Sequence, residues 1–276
     1  MKKAFIILLL AVCTGCMFIE VPQEYSVDPG YSFTPETQMD HQSIPSLLVN
    51  STLHIQYSGE IDLNQPVDVY DLDLFETDAD EIRQLHARGI FVICYFSAGS
   101  FEDWRPDTAH FPREILGKDM VDWPGEIWLD IRQIERIKPI IKSRLDMAFI
   151  KGCDGVDPDN VNGFEQDTGF PLKYENQLTY NIYLSNAAHE RGLAIGLKND
   201  LSQIPDLLSR FEWTLNEECF SYRECEALSP FIQAGKPVFV IEYELDPQEF
   251  CPQANELNFN AQQKNRELDA FYIPCK

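Results

Sequence analysis

Two acidic segments of the chain contain the residue types that cleavage of a glycosidic bond requires. Residues 154–160 read Asp-Gly-Val-Asp-Pro-Asp-Asn, and residues 216–219 read Asn-Glu-Glu-Cys after a short apolar run. The reaction needs one carboxyl group that protonates the leaving oxygen and another that stays ionised to attack or to activate water. Either segment alone would also suit a helix cap or an exposed loop. Together they form a candidate catalytic site.

The elements that must position these acids are short strands alternating with helices. Helices are predicted at 78–88, 135–151 and 175–191, each ending in a basic residue before Gly. Strands are predicted at 53–57, 67–72, 91–96, 127–131, 155–157, 194–197, 213–215 and 238–243. Eight such repeats predict an α/β fold, a closed (β/α)8 TIM barrel. The alternative is an open doubly wound sheet, which the absence of a Gly-x-Gly-x-x-Gly motif disfavours.

Polar residues stand at the ends of most predicted strands. In a barrel these ends meet at one mouth, where active sites of this fold lie. A ring of acids there is expected to bind a cation or to carry out proton chemistry. The strand-end residues include Asp71, Asp73, Tyr95, Asp130, Asp157, Asp159, Lys198, Asn199 and Glu217.

Seven motifs over about residues 53–245 resemble the endo-α-1,4-polygalactosaminidase family, glycoside hydrolase family 114. The resemblance implies a (β/α)8 barrel that cleaves within α-1,4-linked galactosamine polymers. It places the catalytic pair at Glu217 and at Asp159 or Asp157, and we prefer Asp159; retention of configuration is expected. The motifs are VYDLDLF at 69–75, ICYFSAGS at 93–100, EDWRPD at 102–107, WLDIR at 128–132, GCDGVDPDN at 152–160, GLKND at 196–200 and NEEC at 216–219.

The chemistry of the strand ends agrees with that implied substrate. De-acetylated galactosamine carries ammonium groups, which carboxylates hold through charge-assisted hydrogen bonds. Flat aromatic faces stack on sugar rings or bind ammonium groups, whereas packing is the favoured role for Trp123 and Trp128. Lys198 beside the acids would lower the pKa of one carboxyl group. The predicted substrate-binding residues are Asp71, Asp73, Tyr95, Asp130, Lys198, Asn199 and Trp104, with Asp157 as a further acid.

The first residues indicate export. A basic start and a short apolar run end in Cys13-Thr14-Gly15-Cys16, typical of a bacterial lipoprotein signal peptide at 1–15 with lipidation of Cys16. This predicts a membrane or cell-surface anchor, with ordinary secretion as the alternative. Residues 16–48 are rich in proline and polar residues and predict a flexible tether, followed by the barrel domain at 49–276.

The net charge indicates which class of partner the chain can bind, and the cysteines indicate disulfides. The formal net charge is −23, and it becomes −25 without residues 1–15, which contain two lysines and no acid. Nucleic acid is therefore a poor partner, and a cationic polymer is a good one. Six later cysteines suit disulfides in an exported protein, with Cys94 and Cys153 as one group and Cys219, Cys225, Cys251 and Cys275 as another.

No metal or other cofactor is predicted. The cysteines and histidines lack zinc-ligand spacing, and the acids at 154–160 do not continue as a calcium loop. Two other functions stay open beside the galactosamine-polymer hydrolase. One is a catalytically silent surface lipoprotein that binds cationic polysaccharide, and the other is a glycosidase for a different amino-sugar polymer.

Overall fold

The computed structural model describes residues 43–276. The predicted signal peptide, Cys16 and the tether up to residue 42 lie outside the described residues. Ile44 and Leu47, at the described end of the predicted tether, pack against the apolar cluster around β-strand residue Leu53. The folded domain therefore includes these residues. None of the helices between residues 43 and 276 has the length and apolar character needed to cross a membrane.

Eight parallel strands form a (β/α)8 barrel in the order β1-β2-β3-β7-β8-β9-β10-β11. Three others, β4, β6 and β5, form a separate antiparallel sheet, and β12 lies antiparallel to β11. The strands are β1 (Leu53–Gln56), β2 (Val69–Asp73), β3 (Phe91–Ser97), β4 (Ser100–Glu102), β5 (Leu116–Asp119), β6 (Glu126–Leu129), β7 (Gly155–Asp159), β8 (Ala194–Lys198), β9 (Trp213–Glu217), β10 (Val238–Glu242), β11 (Asn260–Gln263) and β12 (Ile273–Pro274).

Helices cover the outside of the barrel. The three predicted helices are confirmed to within two residues at each end, and the apolar layer beneath them joins helices to strands. Gly152 ends the second helix with φ 92°, a conformation that L side chains rarely adopt. The helices are α1 (Ala79–Ala87), α2 (Ile134–Lys151), α3 (Tyr174–His189), α4 (Ile204–Leu207), α5 (Cys219–Tyr222), α6 (Ser229–Gln233) and α7 (Pro247–Glu256).

One predicted barrel strand is wrong, and one barrel strand went unpredicted. The apolar run at 127–131 contributes to β6, in the antiparallel sheet inserted between β3 and β7. The eighth barrel strand is β11, whose sequence Asn-Ala-Gln-Gln contains no β-branched or aromatic residue. Its side chains join it to β1: the Leu53 N–H donates to Asn260 Oδ1 at 3.0 Å, and Gln262 Nε2 donates to the Leu53 carbonyl at 3.0 Å.

The inside of the barrel changes from apolar to charged along the strand direction. Side chains alternate across a strand, so every second residue faces the inside of the barrel. Near the strand starts these inward-facing residues are apolar, as at Val69, Ile93 and Trp213, and near the strand ends they include carboxylates. Trp213 fills the space over Gly155 and Gly196, where an added Cβ would lie 2.6 and 2.1 Å from its ring. This packed layer closes the bottom of the barrel and leaves the site at the top.

Three disulfides join Cys94 to Cys153, Cys219 to Cys225 and Cys251 to Cys275. This confirms the two predicted groups of cysteines. Cys94 on β3 is tied to the loop that enters β7, and the second bridge closes the short segment that follows Glu217. Both bridges therefore support strands that carry candidate site residues.

Candidate active site

Three neighbouring strands bring two acids and a lysine together at the mouth of the barrel. Asp159 ends β7, Lys198 ends β8 and Glu217 ends β9. The Lys198 ammonium lies 3.4 Å from Asp159 Oδ2, 3.4 Å from Glu217 Oε2 and 3.9 Å from Asp157 Oδ2. Lys198 itself is 1% exposed. One buried cation therefore faces three carboxyl groups.

Glu217 is held as a carboxylate by its neighbours. Asn199 Nδ2 donates to Glu217 Oε2 at 2.8 Å, and the Tyr243 hydroxyl donates to Glu217 Oε1. Burial by itself would raise the pKa of Glu217. The charge of Lys198 and the hydrogen bonds from Tyr243 and Asn199 outweigh burial and lower that pKa below its ordinary value.

Asp159 and Asp157 occupy different depths although they are two residues apart on β7. Asp159 lines the cleft and accepts hydrogen bonds from the Tyr95 hydroxyl at 3.2 Å and from the Asn160 N–H at 2.7 Å. Asp157 is fully buried, and the Tyr57 hydroxyl donates to it at 3.4 Å. Burial raises the pKa of Asp157 to about 7, even though Lys198 opposes the shift. Of these three carboxyl groups, those of Asp159 and Glu217 line the cleft, and that of Asp157 does not.

The acids open into a cleft of about 1320 Å³. Its lining contains thirteen acidic side chains and four basic ones, and all four basic side chains form ion pairs with acids: Arg105, Lys118, Lys198 and Arg266. The acidic members are Asp73, Glu76, Glu102, Asp119, Asp122, Glu126, Asp159, Glu165, Asp167, Glu217, Glu218, Glu224 and Glu267. A concave surface of one charge sign concentrates ligands of the opposite sign, here cations.

Two of the predicted ammonium-binding acids are already neutralised by arginine. Asp73 reaches the cleft lining, but its two oxygens accept from Arg105 at 2.9 and 2.6 Å. Asp130 does not line the cleft; it accepts from Arg132 at 2.6 Å and 2.9 Å, and it follows β6 of the inserted sheet rather than a barrel strand. The structure therefore places Asp73 in the cleft lining but on Arg105, and it places Asp130 outside the lining and on Arg132.

Asp71 and Asp157 are also removed from substrate contact, because both are completely buried below the mouth. Burial and the neighbouring Asp157 raise the pKa of Asp71 well above its usual range. Tyr95 is buried too, with its ring stacked on Tyr57 at a centroid distance of 4.1 Å. Tyr95 nevertheless contributes to the cleft lining, and its hydroxyl contacts Asp159.

Lys198, Asn199 and Trp104 lie where the strand-end argument expected them, in the cleft lining. The structure adds Tyr243, which directly follows β10 and which the inward alternation of that strand could have revealed. Glu126 and Asn160 also line the cleft, and no sequence pattern pointed to Glu126. Trp123 is 47% exposed in the cleft, contrary to its favoured packing role, whereas Trp128 is buried as expected.

Among residues 43–276, no group of three or more His, Cys, Asp or Glu side chains is arranged to hold a metal ion. The arrangement that the structure does present is a pair of carboxyl groups in an acidic cleft. Such a pair suits acid–base and nucleophilic chemistry at a glycosidic bond.

Known proteins share both the sequence and the fold. The model of glycoside-hydrolase family GH114 matches residues 34–276. The structure of Aspergillus fumigatus Ega3 in complex with galactosamine is 40% identical, covers 83% of this chain and 97% of that one, and has a TM-score of 0.80. An uncharacterized protein of Deinococcus radiodurans is 27% identical over 278 residues, 87% of each chain.

A more distant structure shares the fold alone. The glycoside hydrolase domain of PelA from Pseudomonas aeruginosa is 13% identical, with 81% of this chain and 98% of that one covered and a TM-score of 0.65. The family match spans most of the sequence, and the carboxyl groups of Asp159 and Glu217 line the cleft at the mouth of the barrel. The chain therefore belongs to glycoside-hydrolase family GH114 and is a glycoside hydrolase.

Proposed function

We propose that this hydrolase cleaves within α-1,4-linked, galactosamine-rich polysaccharide and uses Asp159 and Glu217 as its catalytic pair. The observation that carries the proposal is the pair of carboxyl groups on one buried lysine, at the base of a cleft with thirteen acidic side chains. Amino-sugar units without acetyl groups are cationic, so this lining would attract them. The 40% identity to Ega3, solved with galactosamine, supports the same sugar.

We propose a retaining reaction from the spacing of the pair. Both near oxygens lie 3.4 Å from the Lys198 ammonium, so they are at most twice that distance apart. Retaining enzymes hold their carboxyl groups about 5–5.5 Å apart, whereas inverting enzymes hold them about 6.5–9.5 Å apart to admit water. For these two oxygens the upper limit covers the whole retaining range and reaches only the lower end of the inverting range, which supports retention.

The experiment is product release from partially de-acetylated α-1,4-galactosamine polymer by the parent and by its Asp159→Asn and Glu217→Gln variants. The parent should release oligosaccharides, with retention seen by NMR of the new anomeric centre. Each variant should lose at least about 10²-fold in kcat, because each removes a group that acts in the transition state. Asp167→Asn is the matched control, since this cleft acid is 83% exposed in its side chain and forms its salt bridge with the exposed Lys118.

Three results would change the proposal. An active Glu217→Gln or Asp159→Asn variant would remove that residue from the pair, and Asp157→Asn tests the neighbouring acid that the sequence left open. Products with inverted configuration would reject retention. Cleavage of another amino-sugar polymer, with none of the galactosamine polymer, would keep the enzyme class and replace the substrate.

We also propose that the chain is exported and lipidated at Cys16. The three disulfides between residues 94 and 275 are expected to persist in an oxidising compartment, which supports export. Cys16 lies outside the described residues, so the anchor rests on the sequence. Expression of the full chain and of Cys16→Ser tests it: the parent should partition with membranes and the variant should not, whereas equal partitioning would reject the anchor.

A further inference from the structure

The inserted sheet of β4, β5 and β6 forms one wall of the cleft and is tied to the catalytic strand. Asn160, next to Asp159, donates through Nδ2 to Ser97 Oγ at 3.0 Å, to Ser100 Oγ at 3.2 Å and to Glu126 Oε2 at 3.4 Å. Ser100 also donates to Glu126 at 2.7 Å. The backbone of residue 99 approaches so closely that an added Cβ would lie 1.7 Å from the Asn160 carbonyl oxygen. The wall therefore begins directly beside Asp159.

Two large aromatic side chains on this wall face solvent inside the cleft. Trp104 is 51% exposed and Trp123 is 47% exposed, and both line the cleft. Their chain segments are adjacent: the Asp103 N–H donates to the Gly125 carbonyl at 3.1 Å, and an added Cβ on Gly125 would lie 3.0 Å from the Trp104 ring. Gly125, with φ 95°, thus leaves room for Trp104 against the backbone.

Two half-exposed indole rings on adjacent segments, rimmed by charged side chains, form an exposed apolar patch of the kind that marks a ligand-binding groove. The acids around them specify which ligand. Asp119 and Asp122 line the same wall, and Asp122 makes no salt bridge or side-chain hydrogen bond in the described part of the chain. A flat ring beside a carboxylate fits a sugar that offers a C–H face and an ammonium group.

The cleft continues on the other side of the catalytic pair. Glu218 follows Glu217 directly, and Tyr222 at the end of α5 lines the cleft with 67% of its surface exposed. Aromatic and acidic groups therefore lie on both flanks of the pair. A polymer that contacts both flanks would be cut in its interior.

We propose that the inserted sheet carries binding subsites for amino-sugar units away from the scissile bond. In these subsites Trp104 and Trp123 stack on the sugar rings, and Asp119 and Asp122 bind their ammonium groups. The inference rests on the proposed function and extends it by assigning chain-length preference to the insertion. Asp159 and Glu217 would perform the cleavage, and the wall would hold the polymer across them.

The test measures kcat/KM of the full chain on de-acetylated galactosamine oligosaccharides of increasing length. For the parent, kcat/KM should rise with length and then level off. In the double variant Trp104→Ala with Trp123→Ala, the increase of kcat/KM with substrate length should be about tenfold smaller or more, mainly because KM on long substrates rises. The products that the double variant releases from polymer should become longer or more uniform in size. Phe149→Ala is the matched control, because this aromatic residue on α2 is 57% exposed and lies outside the cleft lining.

The outcomes separate this inference from the proposed function. No cleavage by the parent would reject the proposed function. Cleavage by the parent with an unchanged length dependence in the double variant would reject the subsites alone. An equal loss on the shortest and longest substrates, with a lowered Tm, would show that the tryptophans act on folding, and would also reject the subsites. Asp122→Asn supplies a second readout that spares the aromatic packing, with a raised KM only on long substrates.

Discussion

Lys198 helps to set the charges of the candidate active site. It is buried, and its ammonium faces the carboxyl groups of Asp157, Asp159 and Glu217. Burial would lower the pKa of Lys198, but these acids raise it, so the side chain stays protonated. Its positive charge in turn helps to lower the pKa of Glu217. The lysine is therefore a positioning and charge-setting group for the pair.

We expect Lys198→Met to lower kcat about 10²-fold or more and to shift the acid limb of the kcat/KM profile upward by about one pH unit or more. Without the cation, burial dominates and raises the pKa of Glu217, so the ionised carboxylate forms only at higher pH. Kinetics across the pH range measure both effects. Lys198→Arg keeps the charge and should retain the parental acid limb; an unshifted limb in Lys198→Met would contradict the role.

Asp200 gives a residue-scale prediction about stability. It is 1% exposed, and burial followed by the charge of Glu165 raises its pKa from 3.8 to about 8, although Asn181 donates to it. In the unfolded chain Asp200 loses its proton near its ordinary pKa, whereas the folded state keeps the proton up to about pH 8. Its contribution to stability is therefore full below the ordinary pKa and is lost as pH rises toward 8.

The side chain in Asp200→Asn cannot ionise in the folded or the unfolded state, so this variant should not lose stability in this way as pH rises. Relative to the parent, we expect its free energy of unfolding to gain about 2–4 kcal/mol between about pH 5 and about pH 8. Urea unfolding at the two pH values measures it. Asp80→Asn, at an exposed position on α1, is the control and should show no such gain. A constant difference between Asp200→Asn and the parent would overturn the assignment.

At the scale of elements, the barrel is closed by side chains between β11 and β1. The amides of Asn260 and Gln262 satisfy the backbone N–H and carbonyl of Leu53, all in the buried interior. This explains why β11 was not predicted from the sequence. Strands are identified by a pattern of apolar side chains, whereas β11 carries amide side chains that form hydrogen bonds to β1. Its partner strand lies more than two hundred residues away.

Asn260→Ala and Gln262→Ala should each lower the free energy of unfolding by about 1–3 kcal/mol, because each leaves a buried backbone group of Leu53 without a partner. Urea unfolding measures the loss. Gln253→Ala, at an exposed position on α7, should change stability little. If the seam variants match this control, the side-chain amides do not close the barrel.

At the scale of the whole molecule, the structure shows where part of the net charge of −23 is concentrated. Thirteen of the acidic residues line one cleft, so the negative field is focused where the polymer would bind. This concentration distinguishes substrate attraction from an acidic surface that only maintains solubility. The field acts over the Debye length, which makes it accessible to a salt titration.

We expect kcat/KM on de-acetylated polymer to fall about tenfold or more as NaCl rises from about 0.1 M to about 1 M, since the Debye length shortens from about 10 Å to about 3 Å. The loss should appear in KM, because salt screens the attraction between the cationic polymer and the acidic cleft. Tm at both salt concentrations controls for unfolding. A KM that does not change with salt would show that charge does not guide the polymer.

The sequence by itself determined the alternation of strands and helices, the barrel class and the strand ends that carry Asp159, Lys198 and Glu217. These follow from local periodicity, since the two-residue repeat of a strand decides which side chains face inward. Only the tertiary structure decided which side chains are buried and paired. It buries Asp157 below Asp159, pairs Asp73 and Asp130 with arginines, and exposes Trp123 to the cleft. Burial and ion pairing depend on contacts between distant segments, which no local pattern contains.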